Sequence, residues 1–217
     1  MLAFLEKYPH KVLLPLLQHL QMTAVTLVLS FVLAFLLSLI ILRSQLLSQI
    51  LVGFFSGIYA IPSFALFALL IPVLGLGSRT AIVVLILYNQ FILIRNMLAG
   101  FRSVNPAVVE AATGMGMSAG QLFFRVRLPL AAPMILAGVR IAVVSTIGIA
   151  TIAATINAGG LGVLLFDGIR TRNTVKILWV VLLSSLLAVV ANFGIALVEK
   201  AAARRTGENE ESEGSSV

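Results

Sequence analysis

The sequence predicts an all-α integral membrane protein with five spans, and three observations carry that reading. Hydrophobic residues make up 60% of the 217 positions and charged residues only 11%. An average soluble domain needs about 25% charged residues to cover a water-facing surface. Mean hydropathy is +1.10. The charges are also spaced to leave long gaps: none falls between Lys11 and Arg43, or between Arg43 and Arg79. A hydrocarbon layer about 30 Å thick needs roughly 20 apolar residues as helix, so each gap accommodates a span.

Composition excludes several other classes. With no cysteine there is no disulfide scaffold and no thiolate metal site, and two histidines, His10 and His19, predict no metal centre. The net charge of +7 comes from fifteen Lys and Arg scattered between apolar runs, the pattern of loops flanking spans, and no nucleic-acid partner is expected. The start, MLAFLEKYPHK, lacks the pattern of a removable signal peptide.

The first span is placed near 22–42, the cleanest part of its gap. The second lies near 50–70, with Pro62 inside it, where proline frees a carbonyl and kinks the helix. The third covers 80–98 and carries Asn89, Gln90 and Arg95, the last read as snorkelling to the cytoplasmic end. Residues 102–132 are too polar to cross and are expected to form short helices outside the membrane, interrupted near Gly114 and Gly116. Asn105-Pro106 is a good helix start there, an amide cap followed by proline in the first turn. The fourth span is placed at 133–156, before Asn157-Ala-Gly-Gly-Leu-Gly162, and the fifth at 177–198. Residues 1–206 thus read as one domain and 207–217, GENEESEGSSV, as a disordered acidic tail. Five spans put the termini on opposite sides. With the 102–132 loop inside, nine Lys and Arg lie inside against six outside, predicting an outer N-terminus and a cytoplasmic C-terminus in the cell membrane.

The most specific pattern is Glu110-Ala-Ala, three residues, Gly116, nine residues, then Val126-Arg-Leu128-Pro129. It resembles the signature loop of ABC importer permease subunits, with Val126 where isoleucine is commoner. Ile58-Tyr-Ala-Ile-Pro-Ser-Phe-Ala-Leu66 and Gly148-Ile-Ala-Thr-Ile-Ala-Ala-Thr-Ile-Asn-Ala-Gly-Gly-Leu-Gly162 are similar to the osmoprotectant branch, the glycine betaine, carnitine and choline permeases. Asn157 departs from an expected glycine and Ile149 from an expected threonine. Together the similar segments cover roughly residues 20–200.

The resemblance implies a five-helix type I ABC importer permease core whose cytoplasmic coupling loop is pushed by a separate ATPase. The coupling residues would be Glu110, Ala111, Ala112, Gly116, Val126, Leu128 and Pro129. Pro62, Ser63, Asn89, Thr146, Thr151 and Asn157 are candidates for the translocation pathway. All but Asn157 have a packing alternative: a kink whose freed carbonyl Ser63 satisfies, or polar glue and close packing between helices. Asn89 and Gln90 are adjacent and point to different helix faces, so they do not both face one pathway. Gly159, Gly160, Gly162 and Asp167 form either a docking corner for a binding protein or a plain turn. The chain has no phosphate-binding G-x-x-x-x-G-K-[ST] loop, so ATP and Mg belong to a partner ATPase and no cofactor is expected here. A second permease, an extracellular substrate-binding protein and membrane lipid complete the expected partners. An amino acid or other small solute is the alternative cargo. An intramembrane enzyme finds no support, since H-E-x-x-H and G-x-S-x-G are both absent.

Overall fold

The computed structural model describes residues 2–206, and the acidic tail lies outside them. No strand occurs among the described residues. A short helix, α1 (Leu2–Lys7), precedes α2 (Pro9–Ile41), which starts well before residue 22 because Pro9 occupies its first turn. Only one stripe of α2 is buried: Val12, Pro15, His19, Met22, Thr23, Thr26, Ser30, Ala34, Ser38 and Ile41. Its spacing of three and four is that of a single helix face, and its small and hydroxyl side chains let a neighbouring backbone come close. Leu17, Val28 and Ile40 on the other faces stay exposed, as lipid contact requires.

The stretch expected to form one kinked span is two helices, α3 (Gln45–Ala60) and α4 (Ser63–Leu74), at 100° to each other. Proline 62 supplies no N–H and disfavours helical backbone at Ile61, which is extended (φ −70°, ψ 132°). The carbonyl of Ile61 accepts a hydrogen bond from the Tyr88 hydroxyl. Tyr88, not Ser63, thus satisfies the break.

Helix α5 (Ser78–Ser103) lies at the centre, packed against α2, α3, α4 and the eighth helix. After it, α6 (Pro106–Gly114) is the only helix of the 102–132 segment that stands apart. The expectation of several short helices ending before a span at 133 is corrected by the rest of the segment. There α7 (Ala119–Leu122), a π-turn (Phe123–Arg127), α8 (Leu128–Ile152) and a 3-10 turn (Ala153–Ile156) form a continuous rod of 38 residues. Proline 129 cannot donate to the carbonyl four residues back and crowds it, and the helix widens into the π-turn just ahead of it. The two main helices meet closely: a Cβ on Gly138 would stand 2.5 Å from Cβ of Asn96, and one on Gly100 2.9 Å from the Ala131 carbonyl oxygen.

The chain then turns into α9 (Leu161–Arg170), a short amphipathic helix, and finishes in α10 (Thr174–Thr206). Helix α10 packs on α8 and α9, with Arg140 and Glu199 paired at 3.5 Å, and few of its described residues are buried. The core has three parts. Ile41, Phe101 and Ala131 belong to the part nearest α6, and Leu66, Val84 and Ala153 to the one around α4. Val12, Leu161, Leu164 and Val180 join the N-terminal part of α2 to α9 and α10. The N-terminal helices and α9 therefore sit at the opposite end of the bundle from α6.

Candidate functional site

The loop between α5 and α8 is built to project. Asn105 caps α6 by accepting from the Ala107 N–H at 2.9 Å, and Pro106 opens the helix. Within α6, Ala112 is buried while Glu110 and Ala111 are exposed; Met115, just past its end, is 72% exposed. One face thus anchors the knob and the other is free. The chain reverses at Gly116, whose φ of +79° suits glycine and strains any other residue. A second cap follows: the Ser118 hydroxyl accepts from the Gln121 N–H at 3.4 Å and the Gln121 side chain accepts from the Ser118 N–H at 2.9 Å. This capping box was legible as Ser118-Ala-Gly-Gln121 and is missing from the expected site.

Behind α6 lies a groove of about 340 Å³ lined by Leu42, Phe101, Arg102, Val109, Glu110 and Arg127. Glu110 forms no ion pair among the described residues, although two guanidinium groups share its groove. Val126, Leu128 and Pro129 sit half-buried on the rod itself. They join the knob to the span rather than ending a polar loop.

The residues expected on the pathway divide in two. Pro62 is exposed and Ser63 half-buried at the α3–α4 break. Thr151 is half-buried, its hydroxyl donating to the Ile147 carbonyl, and Asn157 is exposed. Asn89 and Thr146 are each only 1% exposed, with the Asn89 amide 2.9 Å from the Thr146 hydroxyl and 3.3 Å from Ser30 Oγ. They knot α2, α5 and α8 together and line no opening here. Gln90 is also buried and donates to the Ser30 carbonyl at 3.2 Å. The two adjacent amides, expected to serve different faces, converge on one residue of α2.

The corner before α9 is likewise committed to packing. Gly160 and Gly162 are buried, and a Cβ on Gly162 would stand 1.8 Å from the Thr151 carbonyl oxygen. Gly159 lies against Gln18, whose side chain accepts from the Gly160 N–H at 3.2 Å. Asn157 takes the left-handed conformation (φ +66°), which explains why glycine suits that position and why asparagine is the next best residue. Asp167 is held by Lys176 at 2.6 Å and Arg170 at 3.2 Å, and hydrogen bonds from these two keep its carboxyl below the usual carboxylate range.

An all-helical membrane bundle with a capped, outward-facing knob between its two central helices is the architecture of a transport permease. The chain matches the family described as binding-protein-dependent transport system inner membrane component over residues 26–207, and it belongs to that family. It is 32% identical to the carnitine transport permease protein OpuCB of Listeria monocytogenes over 197 residues, 91% of this chain and 90% of that one. With the ergothioneine transport permease/ergothioneine binding protein EgtU of Helicobacter pylori it shares 44% identity over 135 residues, 62% of this chain. That match spans 24% of the longer Helicobacter polypeptide. The fold superposes on the inward-facing MetNI methionine ABC transporter with a TM-score of 0.80 at 20% identity, covering 88% of this chain and 95% of that one.

Proposed function

We propose that this chain, a multi-pass permease subunit, forms half of the pathway of an ATP-driven importer for a quaternary-ammonium solute. Glycine betaine, carnitine, choline and proline betaine are the candidates. The observation that carries the ATP-driven role is the projecting α6 knob, with Glu110 and Ala111 outward, Ala112 inward and Gly116 at the reversal. A groove on a separate ATPase subunit receives such a knob, and closure of that subunit around Mg-ATP moves the permease between its two states. The identity to carnitine and ergothioneine transport proteins supports the solute class, because both of those cargoes are trimethylammonium betaines.

Five crossings are too few to enclose a path, so a second permease, identical or a sister chain, supplies the other half. A separate extracellular binding protein delivers the solute to the end that carries α9. With α6 facing the cytoplasm, the N-terminal helices face outside, because they pack at the opposite end of the bundle. Pro62, Ser63, Thr151 and Asn157 remain the pathway candidates.

Uptake of labelled glycine betaine, carnitine and choline under hyperosmotic shock tests this reading. Cells lacking the chain are compared with cells given the intact chain or the Gly116→Asp variant. Uptake returning only with the intact chain, while the variant inserts normally but leaves ATP hydrolysis uncoupled, is the expected result. Normal uptake by Gly116→Asp removes the coupling role, and no uptake of any of the three moves the cargo to another small solute.

A further inference from the structure

We infer that Tyr59, Phe91 and Arg95 form a transit site inside the membrane for a solute carrying both a carboxylate and a quaternary ammonium; this rests on the cargo class proposed above. Arg95 lies eight residues before the end of α5, roughly 12 Å along the helix from Ser103. A snorkelling arginine would reach towards that end. Instead its guanidinium carbon stands 5.9 Å from the centre of the Phe91 ring, one turn deeper, in the direction helical side chains lean. The side chain is exposed and forms no ion pair among the described residues. An exposed guanidinium held inward at this depth is too costly to face hydrocarbon, so this side of α5 faces a watery path or the partner permease across it.

The surroundings supply the second half of a betaine site. Phe91 lies 5.1 Å, centre to centre, from Tyr59, which is 37% exposed and 5.4 Å from Tyr88. Tyr88 in turn holds the Ile61 carbonyl at the α3–α4 break, so the aromatic group is fixed where the span opens. A guanidinium presents a planar fork that matches a carboxylate, and aromatic faces attract quaternary ammonium groups. A betaine carries these two charges a few bonds apart, as the arginine and the rings are arranged along one face. Tyr59 and Arg95 are the recognition groups; Phe91 lies between them and serves both.

The complete transporter in cells gives the test, with initial uptake rates measured across concentrations of glycine betaine, carnitine and choline. Choline lacks the carboxylate. Capture by the binding protein governs KM, whereas passage through the permease governs the maximal rate. Arg95→Gln should lower the maximal rate for glycine betaine and carnitine about tenfold, one charge-assisted hydrogen bond, and leave choline within about twofold. Tyr59→Leu should slow all three solutes, and Tyr59→Phe should restore them, since the ring face does the binding. Equal losses for solutes with and without the carboxylate, unchanged rates, or changes confined to KM would overturn the site while leaving the cargo reading intact. Should choline not be carried by the wild type, the split between KM and maximal rate decides alone. Failure of the wild type to carry any of the three overturns the cargo reading, and the site with it.

Discussion

At the scale of single residues, the polar side chains buried at the centre of this bundle take up the helix-packing role, one of the two their positions along the chain leave open. Asn89 is a polar residue in an apolar helix, and such residues either line water or bond between helices. Which of the two applies depends on what α2 and α8 bring opposite it. Ser30 and Thr146 lie 59 and 57 positions away in the chain, so no local pattern reveals them. Asn157 was more legible: a site favouring glycine implies a left-handed backbone, and asparagine tolerates one. Asp167 yields a pH prediction. Lys176 and Arg170 depress its folded-state pKa, so its contribution to stability is complete above about 3.9, the value for an unfolded chain, and is lost as pH falls through the folded value. Thermal unfolding of detergent-solubilised protein should therefore show Asp167→Asn less stable than wild type at pH 6. The gap should narrow progressively as pH falls below about 3.9 and on through the folded value, and a gap that does not narrow with falling pH would exclude the carboxylate as its source.

For whole elements, boundaries are where sequence reasoning and structure part. Pro129 and Pro133 look like the start of a span, because proline usually opens or breaks a helix. Here a π-turn absorbs Pro129, and the helix continues back to Ala119. At Pro62 the reverse happens: a position read as a kink is a full break, because the Tyr88 hydroxyl from another helix is available to take the Ile61 carbonyl. Only α6 could be read almost completely, since Asn105, Pro106 and Gly116 act through local geometry. The seating of α9 gives the test at this scale. Gly162→Ala drives a methyl against the Thr151 carbonyl oxygen, a backbone atom that cannot swing away. Overpacking of this kind costs about 1–3 kcal/mol or more, so a clear drop in Tm is expected. Gly148→Ala serves as the control, since a Cβ there meets nothing within 4 Å. Equal Tm values for the two variants would show that α9 moves away freely from α8.

Considering the molecule entire, composition alone was enough for the class: 60% hydrophobic residues can be accommodated in no other solvent than lipid. Orientation was harder to read, because an outer N-terminus counts Lys7 and Lys11 among the outer charges and weakens the bias. The absence of cysteine makes orientation directly measurable. Single cysteines at Ser118, in the α6–α7 connection, and Arg172, after α9, should react on opposite sides of the membrane. A membrane-impermeant maleimide is expected to label Arg172→Cys in intact cells and Ser118→Cys only after permeabilisation. The opposite pattern would invert the topology and place α6 away from any cytoplasmic ATPase.

The continuous helix from Ala119 to Ile156 has a mechanical consequence. Its 38 residues make a lever of roughly 57 Å at 1.5 Å rise each, with one arm under the α6 knob and the other beside the corner at Asn157. A stiff lever converts a small angular swing at one end into a large sweep at the other: a tilt of about 10° about one tip displaces the far tip by roughly 10 Å over that length. Closing and reopening a path for a small solute then needs no local melting along the way. The widened turn at Phe123–Arg127 lies near the α6 end of that rod, so nearly all of its length beyond the turn is regular helix that moves as one piece.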